Sequence, residues 1–134
     1  MAVPHPCWND PDWLRPLLLT TARQCLGELV YGLVVDQADD RELTLRLVPR
    51  NAEGEVVAAA TLALEIYRSG EDLSIMLEHL GAPHWPLLWQ GVHPVWLDQE
   101  QGKACERPPD GKHAPSARQL EALARRLRTV LLRG

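Results

Sequence analysis

A chain of 134 residues, 46% hydrophobic and 24% charged with a formal net charge of -4, is too short for two ordinary domains and too apolar to be disordered. No window approaches the roughly 18 consecutive apolar residues of a membrane span, and the opening MAVPHPCWNDPDW has neither a basic n-region nor an apolar h-region. Membrane insertion and secretion are therefore disfavoured, and one cytoplasmic domain over 1–134 is expected.

In chain order, 1–15 reads as an arm and a helix start, with Asn9, Asp10 and Asp12 beside Pro11 suited to the positive end of a helix dipole. Pro16 would remove a hydrogen bond inside a helix, so the main helix is predicted over 16–28 after a short first turn. Leu17, Leu18, Ala22, Cys25, Leu26 and Leu29 fall on one helical face. Gly27 and Gly32 blur its end, and the run Leu29 to Val35 reads equally as a first buried strand.

From there to residue 80 the period changes to two. Leu43, Leu45 and Leu47, then Leu62, Leu64 and Ile66, then Leu73, Ile75 and Leu77 alternate with more polar neighbours, and short glycine-bearing turns separate the three runs. The segment 81–98, with three Pro, two His and three Trp, reads as an ordered crossover holding at most an edge strand near Val92 to Leu97. A polar loop is expected over 99–115. The helix over 116–133 is marked by a Ser116/Gln119 capping box and by the stripe Leu120, Leu123, Ala124, Leu127, Val130 and Leu131.

These elements predict an α+β fold: an antiparallel β-meander of three to five strands, with N- and C-terminal helices packed on one face. The element order is similar to that of several small α+β binding and chaperone folds, secretion-chaperone-like proteins among them. That likeness is one of order alone and carries no residue across.

Chemical signatures are sparse. Cys7, Cys25 and Cys105 lie in no CxxC spacing, which argues for reduced thiols, with Cys25 packed as a small hydrophobe and Cys105 in a polar loop. His79, His84 and His93, even with Asp98 or Cys105, match no zinc-finger or zincin spacing. No phosphate-binding loop or nucleophile elbow occurs, and the acidic pairs Asp39-Asp40 and Glu71-Asp72 fall at turns. Neither metal nor cofactor is expected.

Two features stand out. From Lys103 onward eight basic residues face three acidic ones, so the tail carries +5 and the first 102 residues carry -9. Arg118, Arg125 and Arg128 give the last helix a basic face for an acidic ligand, although the acidic body disfavours nucleic acid. The other is aromatic: five Trp, two Tyr and no Phe, with His-Pro-x-Trp occurring at His5 and again at His93. Trp85, Trp89 and Trp96, with His84 and His93, are candidates for a partner-binding groove, against the plainer reading of a small apolar core. A non-enzymatic binding, adaptor or chaperone-like protein is the expectation, using either these tryptophans or a sheet edge to hold a protein partner, a second copy included. The alternative is a small ligand-binding protein or enzyme with a Trp/His-lined pocket between sheet and helices.

Overall fold

A computed structural model of the chain describes residues 3–27, 29–81, 86–90, 93–98, 102–106 and 115–133. Asp10 opens α1 (Pro11–Cys25): its carboxylate accepts from the backbone N–H groups of Asp12 (3.0 Å) and Trp13 (3.5 Å). The helix thus starts at Pro11 and runs through Pro16, instead of beginning there as expected. Asp12 and Pro16 are both exposed, so the backbone carbonyl that Pro16 leaves without a donor can turn to water.

Seven strands follow in an antiparallel sheet whose spatial order is the chain order: β2 (Val30–Ala38), β3 (Glu42–Arg50), β4 (Leu62–Ser69), β5 (Asp72–His79), β6 (Leu87–Gln90), β7 (His93–Asp98) and β8 (Lys103–Cys105). This corrects the expected three to five strands. The β6–β7 hairpin extends the meander where a crossover was anticipated, and β8 lies within the supposed loop 99–115. Pro94 is the second residue of β7, near the strand start where a missing ladder donor is tolerated. Turn chemistry closes the earlier hairpins. Asp39 accepts from the N–H groups of Arg41 and Glu42, each at 2.8 Å, which holds its carboxyl below the ordinary carboxylate value. Gly70, at φ +64°, takes a left-handed position in the two-residue loop between Ser69 and Asp72.

The alternation of leucines gives the sheet one buried face. Val35, Leu45, Leu64, Leu77, Leu87, Trp96 and Cys105 pair in succession, a single row crossing all seven strands. A one-residue slip anywhere would turn this row outward, so the pattern enforces the register. Leu14, Leu18 and Ala22 of α1 and Leu120, Leu123, Leu127 and Leu131 of α2 (Pro115–Leu131) belong to the same buried cluster. Arg126 of α2 donates to the side-chain carbonyl of Gln24 at the end of α1. The side chain of Ser116, one half of the anticipated capping box, lies outside the described residues.

The termini are clasped together. β1 (Val3–Pro4) pairs with β9 (Leu132–Arg133), His5 N–H donates to the Leu131 carbonyl at 2.7 Å, and the His5 ring stacks on Trp13 at 4.0 Å between centroids. No helix among the described residues is long and apolar enough to cross a membrane.

Candidate functional site

Two of the three tryptophans singled out in the crossover are described, and they occupy different environments. Trp96 is 1% exposed and sits in the central row of the core. Trp89, on β6, is half-buried, and its ring lies under two guanidinium groups of α2: Arg128 Cζ is 5.1 Å and Arg125 Cζ 5.8 Å from its centroid. The aromatic and basic candidates therefore meet at one place, where the cations cover the indole. Arg125 is also held by Glu121 at 2.9 Å, one helical turn back. Arg118 is exposed on α2, and His93 is exposed at the start of β7 opposite Gln90. His84 and Trp85 lie outside the described residues, so the convergence of His84 with His93 does too.

Open surface is found instead at one edge of the sheet. The β8 edge is three residues long and carries the exposed Lys103. The β2 edge is nine residues long, and its stretch 30–35, Val-Tyr-Gly-Leu-Val-Val, has no charge and no proline. Val30 is 72% exposed and Val34 40%. Edges of this kind are normally blunted by charge, Pro or a bulge. Here the bulge comes only at Asp36, whose carboxylate is gripped by Arg46 of β3 at 3.0 Å. Gly32 lies mid-edge with an ordinary negative φ, and a Cβ there would meet only the Val48 carbonyl oxygen, at 3.9 Å. The fold itself does not require glycine at this position, whereas close approach of another backbone would.

Beside that edge runs a groove of about 540 Å³ between Leu19, Thr20 and Arg23 of α1 and Gly27, Leu29, Val30 and Tyr31. Leu29 and Tyr31 are shared with a second cleft of about 150 Å³, also lined by Leu26, Ala60, Leu62, His79, Gln119 and Leu120. Burial raises the Tyr31 phenol above its ordinary value of 10.0. Burial lowers His79 below 6.5, partly opposed by its own backbone carbonyl, and its Nδ1 is buried without a hydrogen-bond partner. Both groups are uncharged at neutral pH. His79 continues the buried alternation Ile75, Leu77, a signal present in the sequence; nothing local to Tyr31 marks it. Among the described residues no three His, Cys, Asp or Glu side chains gather as a metal site requires.

Residues 16–130 match the model of a family described as a domain of unknown function, DUF8659. The chain belongs to that family. No curated protein and no solved structure matches it. The DUF8659 match takes in the whole seven-stranded sheet and every residue lining the groove and the cleft. The clasp of β1 on β9 and the His5–Trp13 stack lie wholly outside the matched span.

Proposed function

We propose that this DUF8659 domain is a non-enzymatic binding module of adaptor or chaperone-like type, acting through protein–protein contacts at the open edge of β2. Among the described residues β2 forms one edge of the sheet with no strand beyond it, and an extended segment would add there as an eighth strand. The observation that carries the reading is the uncharged, unblunted stretch 30–35 with Val30 72% exposed. Backbone hydrogen bonds would supply affinity, and the adjoining groove would select side chains.

A second copy of the chain is the simplest such partner, because an antiparallel edge can be its own complement. A two-fold axis at Gly32 sets Val30 against Val34 of the partner subunit and keeps Asp36 outside the paired stretch. Three cysteines without a disulfide agree with a reducing, cytoplasmic setting.

Light scattering at low micromolar concentration tests the self-paired form, and titration with a blocked peptide of sequence 29–36 tests strand addition itself. Twice the chain mass for the wild type, and the single-chain mass for a folded Val34→Lys variant, is the expected result. A wild-type monomer that also ignores the peptide overturns the reading. The cleft of about 150 Å³, walled by Leu26, Leu29, Tyr31, Leu62 and Leu120, favours a second reading, a small-ligand site there, in place of a pocket lined by Trp and His84 or His93.

A further inference from the structure

We propose that the groove beside β2 receives the carboxyl-terminal tail of a partner protein, an extended segment ending in an apolar residue with a free carboxylate. This use of the groove rests on strand addition at β2 and specifies the kind of segment that adds. The groove, of about 540 Å³, lies between α1 and the β2 edge and is closed at one end. α1 stops at Cys25 and β2 starts at Val30, so the link between them joins the two walls. Leu26 N–H donates to the Ala22 carbonyl at 2.7 Å, and a Cβ on Gly27 would come within 3.1 Å of the Arg23 carbonyl. The link is folded tightly against the last turn of α1, and an added strand that reaches this end terminates against it.

Charge decides which terminus is held there. Among the described residues, Arg23 is the one charged group lining the groove, and neither described ion pair involves it. It lies in the last turn of α1, at the closed end. A strand antiparallel to β2 brings its carboxyl end to Val30, and so toward Arg23, whereas a parallel strand brings an amino end of the same sign as Arg23. Every pairing in the seven-stranded sheet is antiparallel, so the direction that matches the sheet also matches the charge. In the register that sets Val30 opposite Val34, a segment of sequence 30–35 ends opposite Leu29. Its last side chain shares the inward face with Leu29 and Tyr31, next to Leu19, which calls for an apolar residue.

Isothermal titration of the full chain tests this with acetyl-Val-Tyr-Gly-Leu-Val-Val as the free acid, as the carboxamide, and as a carboxamide with Asp in the last position. The free acid is expected to bind about three- to fivefold tighter than either carboxamide, the range of a well-aligned surface ion pair. Arg23→Gln removes the preference, Arg23→Glu reverses it, and high salt narrows it. Arg23 is exposed, so both variants are expected to keep the fold. Only ratios of affinity are read, so competition from a second copy at the same edge cancels. Equal affinity for acid and carboxamide, or a preference that survives Arg23→Gln, overturns the proposal and leaves strand addition standing. A carboxamide ending in Asp that binds as tightly as the free acid also overturns it, because Arg23 then takes an acidic side chain. No binding of any of the three peptides overturns strand addition, and the tail site with it.

Discussion

His79 shows how one side chain can be structural and chemically poised at once. It lies on the buried alternation of β5, and burial holds its imidazole below the ordinary value of 6.5. The unfolded chain then binds the proton more readily than the folded one, so the stability contributed by neutral His79 is complete above pH 6.5. It is lost as the pH falls from 6.5 toward the lower folded value. The urea midpoint should therefore drop more between pH 7.5 and 5.5 in the wild type than in His79→Gln, and equal drops would remove this account. Trp89 teaches a related lesson. As a sequence feature it suggested a binding hot spot, but Arg125 and Arg128 stand over its ring, and only folding brings α2 across β6.

Among the elements, α1 tolerates a defect that the sequence flags. Pro16 interrupts the helix ladder at an exposed position, which costs about 3 kcal/mol relative to Ala, offset by about 0.4–1 kcal/mol of lost freedom in the unfolded chain. Pro16→Ala is expected to stabilise the protein by about 2 kcal/mol in denaturant unfolding. A loss of stability would show that Pro16 fits a bend that Ala cannot replace. The sheet elements divide by length. The long strands β3, β4 and β5 were legible because each repeats an inward leucine or isoleucine several times. β6 and β8, at four and three residues, are too short to display a period, and Pro94 confined the strand expected near Val92 to Leu97 to an edge, whereas β7 pairs on both sides. Their pairing is decided by the open edge of β5 and by the core space that Leu87 and Trp96 fill.

At the scale of the whole molecule, the row from Val35 to Cys105 ties every strand of the sheet to one buried layer. Trp96 is its largest member, and Trp96→Ala should cost about 3–5 kcal/mol through lost burial and the cavity left behind. Equilibrium urea unfolding measures this, and a cost below about 1 kcal/mol would mean that Trp96 faces solvent. The same architecture explains the position of the open surface. A meander in chain order has two edges; the last strand is short and carries a lysine, whereas the first is long and apolar. Residue periodicity by itself determined the class of the fold, the central strands, the C-terminal helix and which side chains face inward, because burial of one face per element is a local pattern. Tertiary structure alone decided the number of strands, the covering of Trp89 by arginines, the free edge at Val30 and the meeting of Tyr31 with His79 in one cleft. Each of these depends on which distant segments pack side by side, and no spacing within a single segment encodes that.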